Sequence, residues 1–348
     1  MMRRSIFFLL SGEYETIPEA ELRSVLNILD PGNRVREVIS RRILIAETTP
    51  EAAREAIRRT AYTKLSCLFL GKARNVIEEV LEIVEKADPM DLIPPGASRF
   101  AVRGKRIMGS SIDKLMLERL IGEKILEVKP DLRVDLENPD ATIIFISSKE
   151  KTVLGRLIES KPKRFFADRV AGRRPFSLPS AMQPDFARAM VNLAEVEPGG
   201  RILDPFAGTG GILIEAMLLG YEACGVELKG WIAEGAVKNL TRYTRGGENI
   251  IVGDARKPMF RGGSFDAIVT DPPYGRSTTV PDKSIELLLT EFLKACKPLL
   301  RGRGRVVMAA PSEIDMAKIA SRHGFNIWRS HLARVHGSLI RRVVILEP

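Results

Sequence analysis

Short apolar runs alternate with helix-spaced apolar stripes along the whole chain. Residues 6–10 (Ile-Phe-Phe-Leu-Leu) form a compact run, and Ala20, Leu22, Val25, Leu26 and Leu29 then recur at helical spacing. Residues 35–39 and 43–46 predict two strands, 51–60 a second helix and 65–70 a closing strand. That order, β-α-β-β-α-β, predicts a ferredoxin-like unit. A second small α+β unit follows. It has a helix over 76–84, a strand over 100–103, a helix over 111–122 capped at Ser110 or Ser111, an alternating strand over 133–136 and a buried strand over 141–147. Asn138-Pro139-Asp140 supplies the turn between the last two.

Residues 148–178 are polar, basic and rich in Pro, which predicts a linker with a strand near 152–158. Beyond Ser180 the texture changes. Strands over 201–204, 223–226, 250–252, 265–270 and 305–309 alternate with helices over 211–219, 231–243, 284–296 and 314–323. Two long strands, 325–333 and 339–346, meet at Gly337-Ser338. This pattern predicts a doubly wound, Rossmann-like α/β sheet ending in an antiparallel hairpin. The expected division is a ferredoxin-like domain over 1–72, a second small domain over 73–158, a basic linker over 159–178 and the α/β domain over 179–348.

Composition narrows the class. With 28% charged and 45% hydrophobic residues, the chain has the balance of a folded protein rather than a disordered one. No apolar run reaches the roughly 18 residues needed to cross a bilayer. The run at 6–10 is too short for a secretory signal and no small-residue cleavage site follows it, so a cytoplasmic location is expected. Cys67, Cys224 and Cys296 are isolated and odd in number, which argues against a disulfide framework or zinc spacing. His323, His331 and His336 all lie near the C-terminus, so no metal site is expected.

Charge adds a partner. The formal net charge is +10, with +1 over residues 1–160 and +9 over 161–348. Lys161, Lys163, Arg164, Arg169, Arg173 and Arg174 crowd around one acid, Asp168. Clustered excess of this kind favours a polyanion, because each neutralised phosphate releases counterions. Lys161, Lys163, Arg164, Arg173 and Arg174, with Arg103, Lys105 and Arg106 further upstream, are therefore candidate contacts to a nucleic-acid backbone.

Two loops carry the chemistry. Asp204-Pro205-Phe206-Ala207-Gly208-Thr209-Gly210-Gly211 joins the first strand and first helix of the α/β sheet. A P-loop would need Gly-Lys-Ser/Thr, and no Lys is present. A dinucleotide fingerprint would need a third Gly where Leu213 stands. What remains is a carboxylate ahead of a Gly-x-Gly turn with no basic group for a pyrophosphate. That suits S-adenosylmethionine, which carries a sugar, an ammonium group and little negative charge. Glu227, ending the second strand, can accept from ribose hydroxyls, and Asp254, followed by Ala255 after the third, from the adenine amino group. Phe206, Gly208, Thr209 and Gly210 complete the candidate cofactor loop, with Asp271 also facing the cofactor.

The second loop, Asp271-Pro272-Pro273-Tyr274-Gly275, follows the apolar strand over 265–270. An exocyclic amino group on a base is a poor nucleophile, because its lone pair is delocalised into the ring. Asp271 can accept one N–H and the Pro272 carbonyl the other, which aims the lone pair at a methyl sulfonium. Pro272 and Pro273 fix φ, so the carbonyl needs no ordering at each turnover. Tyr274 offers a face on which an extruded base can stack.

Together these loops resemble those of the class I, Rossmann-like amino-group methyltransferases. Arg174-Pro175-Phe176, with Pro179-Ser180-Ala181-Met182-Gln183-Pro184 and Ala187-Arg188, resembles the segment before the first strand in the branch that methylates the guanine amino group in RNA. Val134-Asp135-Leu136-Glu137-Asn138-Pro139-Asp140 resembles the signature of a THUMP domain, an RNA-binding module that in this family follows a small ferredoxin-like domain. Length, domain order and Asp271-Pro272-Pro273-Tyr274-Gly275-Arg276 are similar to the archaeal tRNA guanine-N2 methyltransferase family, whose members act at position 10 and can form the dimethylated base. The resemblance implies a monomer that grips the acceptor end of tRNA with its THUMP domain, with or without an accessory protein. Many relatives carry Asn at the position of Asp271 and methylate other amino groups. Another guanine in tRNA or ribosomal RNA, a non-catalytic RNA-binding protein on the same fold, and adenine methylation of DNA remain as alternatives at this point.

Overall fold

The structure, a computed structural model, describes residues 2–107, 109–245, 249–257, 259–273, 285–336 and 339–348. The chain divides into two compact units, one of Met1–Gly12, Leu29–Arg58 and Thr63–Lys161, the other of Glu13–Ile28, Arg59–Tyr62 and Pro162–Pro348.

The first unit is built on one eight-stranded sheet. In chain order its elements are β1 (Arg4–Leu10), β2 (Arg34–Ile39), β3 (Ile43–Thr48), α2 (Pro50–Arg59), β4 (Thr63–Arg74), α3 (Ile77–Lys86), the single turn α4 (Pro89–Leu92), β5 (Arg99–Arg106), α5 (Lys114–Val128), β6 (Arg133–Val134), β7 (Ala141–Ser147) and β8 (Lys151–Ser160). The helix preceding β2, α1 (Ile17–Leu29), lies almost wholly in the second unit. The strand order is β2-β3-β1-β4-β8-β7-β5-β6. Its first four strands are antiparallel neighbours in the ferredoxin-like arrangement.

The strand expected near 152–158 is β8, and it sits centrally, antiparallel to both β4 and β7. Gly155 is needed there. A Cβ at that position would lie 2.3 Å from the Leu68 carbonyl oxygen and 2.6 Å from the Phe7 ring. The α5 start differs from the reading at Ser110 or Ser111. Asp113 Oδ1 accepts from the amides of Leu115 and Met116 at 3.0 and 3.1 Å, satisfying two first-turn donors, so the helix begins at Lys114.

The second unit is a seven-stranded sheet of order β11-β10-β9-β12-β13-β15-β14. After α6 (Pro184–Leu193), which the apolar spacing had not suggested, come β9 (Arg201–Asp204), α7 (Gly211–Leu218), β10 (Glu222–Glu227), α8 (Gly230–Tyr243), β11 (Ile250–Val252), β12 (Phe265–Thr270), α9 (Ile285–Cys296), β13 (Leu300–Pro311), α10 (Met316–Arg322), β14 (Asn326–His336) and β15 (Leu339–Glu347). The strands from β11 to β13 are parallel, and β15 and β14 add an antiparallel edge. Alternation along the strands feeds two cores. Ile202, Ala267, Val269, Val307, Ala309, Val343 and Ile345 face one side. Leu203, Ile268, Val306, Met308, Val344 and Leu346 face the other.

The first core also holds Ile17 and Ala20 of α1, with Tyr62 and Phe186. Buried Glu21 fixes that helix: its carboxylate accepts from the Ala61 amide at 2.6 Å, the Tyr62 amide at 2.9 Å and Asn192 Nδ2 at 2.8 Å.

Past β8, the rest of residues 159–178, expected as a basic linker, contains only a short 3-10 turn at Ala171–Arg173, yet part of the stretch is buried. Arg169 Nε and, from α6, Arg188 Nε each reach the wholly buried Glu215 carboxylate of α7 at 2.6 Å. The rings of Phe165 and Phe166 lie 4.8–5.7 Å from these two guanidinium groups. Among the described residues no helix is long and apolar enough to cross a membrane. Removing one member of a buried ion cluster strands the other charges. Glu215→Ala is therefore expected to cost about 3–5 kcal/mol, read as a shift in the urea midpoint, whereas the exposed Glu313→Ala should change it little.

Candidate active site

The order of the second sheet sets where a ligand can bind. From β9 the chain steps outward through β10 to β11, then returns to place β12 on the other side of β9. At such a reversal the loops after the two central strands diverge and leave a crevice at their carboxyl ends. The loop after β9 is the glycine loop, and the loop after β12 begins at Asp271.

The glycine loop is held from both sides. Gly208 and Gly210 take positive φ values of 52° and 79°, a region other residues rarely enter. A Cβ at Gly208 would have no neighbour nearer than the Phe206 carbonyl oxygen at 3.9 Å, so the turn is open above it. Beneath, the Ala207 amide donates to Val226 O at 2.9 Å, and Gly225 leaves room where a Cβ would meet that of Ala207 at 2.7 Å. Asn239 of α8, wholly buried, donates to Thr209 O at 2.9 Å and to Phe176 O at 2.8 Å, while its Oδ1 accepts from the Phe176 amide at 2.9 Å. One side chain thus ties the Arg174-Pro175-Phe176 segment to the loop. The Phe206 ring meets Phe292 edge-on at 5.2 Å and is half-buried.

Three carboxylates stand at successive strand ends. Asp204 is 1% exposed and accepts from Thr270 Oγ1 at 2.7 Å and from the Phe206 amide at 3.2 Å. Burial pushes its carboxyl up to about 7, against the pull of those donors, and the nearby charges of Asp271 and Glu227 raise it further. Glu227 accepts from the Gly208 amide at 3.0 Å through Oε2 and from the Lys229 amide at 2.9 Å through Oε1. Asp254 is forked by Arg256, with Nε to Oδ1 at 3.0 Å and Nη2 to Oδ2 at 2.8 Å, which holds it below the usual carboxylate range. Ala255 is half-buried against the second core.

Thr270 is the last residue of β12, so its hydroxyl joins the strand leading into Asp271 to the acid that opens the glycine loop. Asp271 and Pro273 are half-buried and Pro272 is buried. Arg341 of β15 places Nη1 3.2 Å from Asp271 Oδ2. Tyr274 and Arg276 lie outside the described residues. Among the described residues no group of His, Cys, Asp and Glu is arranged to hold a metal ion. Cys67 and Cys296 are buried, and burial raises the half-buried Cys224 thiol to about 11, so none is a ready nucleophile.

The loop fits S-adenosylmethionine. It offers an open glycine turn, acids at three strand ends for an ammonium group and hydroxyls, and no lysine for a phosphate. Thr270 and Arg341 carry no motif, and only the strand register brings them to the crevice.

The basic candidates divide. Lys105, Arg106, Lys163, Arg164 and Arg173 are exposed. Arg103 is half-buried, with Nη2 on Leu136 O at 2.6 Å, and Lys161 Nζ bonds the Ile57 carbonyl. Arg174 corrects the reading. It is 6% exposed, donates to Arg169 O at 3.0 Å and Met182 O at 2.9 Å, and packs against Gly211 at the start of α7. Its charge is spent inside the fold and cannot reach a phosphate. The fold also sets Lys64 and Arg42 near Lys105: its side chain reaches the surface, yet desolvation of the ammonium group lowers its pKa first, and the charges of Lys64 and Arg42 lower it further. Arg42 and Lys64 lie far from Lys105 in sequence, so no local charge run flagged them.

Comparison with known proteins agrees with this geometry. Residues 171–342 match the family model described as the RMKL-like methyltransferase domain, and residues 74–155 match the THUMP domain. The tRNA (guanine(10)-N2)-dimethyltransferase of Methanothermobacter thermautotrophicus is 34% identical over 97% of this chain and 98% of its own. The protein of the same name from Pyrococcus abyssi is 38% identical over 80% of this chain and 82% of its own. The crystal structure of TrmN from Thermus thermophilus shares the fold, with a TM-score of 0.56, 24% identity and 99% of each chain covered. On these grounds the chain belongs to the tRNA (guanine(10)-N2)-dimethyltransferase family, in which a THUMP domain is joined to a Rossmann-like methyltransferase domain.

Proposed function

We infer that this chain transfers methyl groups from S-adenosylmethionine to the exocyclic N2 of guanosine 10 in tRNA, forming the mono- and then the dimethylated base. The observation that carries this reading is the bond from Thr270 Oγ1 to Asp204 Oδ1 at 2.7 Å, which sets the glycine loop and the Asp271 loop at one crevice. When bound, S-adenosylmethionine supplies a methyl group on a sulfonium, an electrophile that needs no further activation.

The chain's own residues bind, orient and exclude water. Asp204 faces the ammonium end of the cofactor, Glu227 the ribose hydroxyls and Asp254 the adenine amino group. Phe206, Gly208, Thr209, Gly210 and Ala255 shape the walls. Asp271 accepts one N–H of the guanine amino group and the Pro272 carbonyl accepts the other, which turns the nitrogen lone pair outward. Pro272 and Pro273 keep that carbonyl aimed before substrate arrives. Tyr274 is the stacking face in this scheme and lies outside the described residues. Residues 1–72, 73–158 and 159–178, taken as ferredoxin-like, THUMP and connecting parts, supply the tRNA grip. Phosphate contacts from Lys105, Arg106, Lys163, Arg164 and Arg173 fix register while the pocket selects the base.

Methylation of an unmodified tRNA transcript, followed by nucleoside analysis, tests the reading directly, and a product at any other nucleotide would overturn the assignment to guanosine 10. Asp271→Ala removes the oriented acceptor and is expected to lower the transfer rate about 10²-fold or more, measured in single turnover. Lys163→Ala and Arg164→Ala should weaken tRNA binding, each reducing the salt slope by about one, with kcat unchanged.

A pH prediction follows from Asp204. Its folded value, about 7, lies above the ordinary carboxyl value of about 4. The stability it contributes is therefore full below about 4 and lost as pH rises through about 7. An ammonium group beside it favours the carboxylate, so cofactor binding near pH 6 should release up to about one proton. Calorimetry in two buffers of different ionisation enthalpy reads that proton, and Asp204→Asn should abolish it.

A further inference from the structure

One helix of the second unit carries an aromatic side chain and free cations on its solvent face. Inward, α8 buries Ile232, Ala233, Gly235, Ala236, Asn239 and Leu240. Outward it exposes Trp231, Glu234, Lys238 and Arg242, spaced three or four residues apart, so the four form one stripe. Trp231 is 56% exposed. A single exposed apolar side chain means little, but this one is held in place. The Phe176 ring meets it edge-on, with centroids 6.0 Å apart and planes at 81°. Phe176 is itself pinned to α8 by Asn239, and Gly235 makes room for it, since a Cβ there would lie 2.2 Å from the ring.

The segment before α6 follows the same helix. Tyr243 Oη donates to the Asp168 carbonyl at 2.9 Å near one end of α8, and Phe176 lies against its first turns. Exposed Arg173 comes between these two anchors and so borders the stripe. Among the described residues, none of Arg173, Lys238 and Arg242 forms an ion pair. Glu234 is the one acid in α8. The stripe also has a direction. α8 starts just past Glu227 at the carboxyl end of β10, and Ala236 packs beneath the glycine turn, where a Cβ at Gly210 would lie 3.5 Å from its own. Trp231 is therefore the end nearest the crevice, with Lys238 and Arg242 roughly 10 and 16 Å further along the axis.

An open aromatic face followed by free cations matches the chemistry of a single RNA strand, whose bases stack while its phosphates seek positive charge. We propose that the outer face of α8 is a track for the substrate RNA, on which an unpaired base stacks on Trp231 and the adjoining phosphates meet Lys238, Arg242 and Arg173. A base drawn into the crevice must leave its stack, and Trp231 gives its neighbour in the strand a replacement surface. This inference rests on the function proposed above and adds where the strand beside the target base runs on the second unit.

The test titrates the full-length wild type, Trp231→Ala, Trp231→Phe, Lys238→Ala, Arg242→Ala and Arg322→Ala with an unmodified tRNA transcript and, separately, with S-adenosylmethionine, following tryptophan emission. The chain holds two tryptophans. The second, Trp328, lies between the Arg305 and Arg329 guanidinium groups at 3.8 and 3.7 Å, and it alone reports in Trp231→Phe. The tRNA is expected to quench the wild type, and Trp231→Phe to lose the quench while keeping most of the affinity. Trp231→Ala should weaken tRNA binding about 5- to 100-fold. Lys238→Ala and Arg242→Ala should each reduce the salt slope by about one, whereas Arg322→Ala, on α10 against the opposite core, should leave it unchanged. Wild-type affinity in Trp231→Ala overturns the inference. So does a quench produced by S-adenosylmethionine in place of tRNA, which would make Trp231 a cofactor wall, or an equal slope change at Lys238, Arg242 and Arg322, which would mark general charge. A binding loss no larger than the unfolded fraction in a urea experiment explains also overturns it. A wild type that shows the quench and the slopes but methylates no tRNA would leave the track standing and overturn the proposed function instead.

Discussion

The second unit depends on a buried carboxylate at the point where its sheet reverses direction. Asp204 sits in a site that disfavours its charge, held by a hydroxyl from the neighbouring central strand and an amide from its own loop. That arrangement joins β9 to β12 at the ends where their loops part. The glycine turn stands on one side and the start of the proline turn on the other, so the two loops of the proposed reaction share one wall. Replacing the Thr270 hydroxyl with an apolar group would remove a buried donor that opposes the desolvation of Asp204, and both loops would feel it.

Around this centre the fold uses charge sparingly inside. Glu215, Arg169 and Arg188 form a closed ionic cluster beneath α7, and Arg174 ends on two backbone carbonyls. Asn239 links the Phe176 segment to Thr209 through backbone groups alone. The segment around Arg169–Gln183 is thus packed inside the second unit, beside the glycine loop. Its basic residues accordingly split into a buried set with structural duties, Arg169 and Arg174, and an exposed set, Lys163, Arg164 and Arg173.

Much of this could be read from the chain before any coordinates. The glycine loop and the Asp-Pro-Pro turn were legible because each sits directly after an apolar strand, and the doubly wound sheet with its antiparallel edge was legible from the alternation of strands and helices and the closing hairpin. Glu215 was a readable signal too. A lone acid inside Ile-Leu-Ile-Glu-Ala-Met demands a buried counter-ion, although nothing local says which one. Three things were not legible. The inward turn of Arg174 depends on carbonyls that only the folded segment presents. Arg341 reaches Asp271 through strand register, which leaves no mark in spacing. The place of α1 in the second unit contradicts sequence proximity, since the helix is flanked on both sides by strands of the first.

That placement of α1 bears on how the polypeptide acquires its shape on the ribosome. Thr16 Oγ1 pairs with His331 Nδ1 at 2.9 Å, Asn192 reaches Glu21 and Arg329 reaches Ser24. Thr16, Glu21 and Ser24 therefore wait for partners at 331, 192 and 329. The strands on either side of the helix can pair as soon as residue 161 has emerged, whereas the helix between them meets Ala61 and Tyr62 early, Asn192 later and Arg329 and His331 last. Vectorial synthesis therefore completes the surroundings of this early helix in stages, and its apolar face waits for residues made much later.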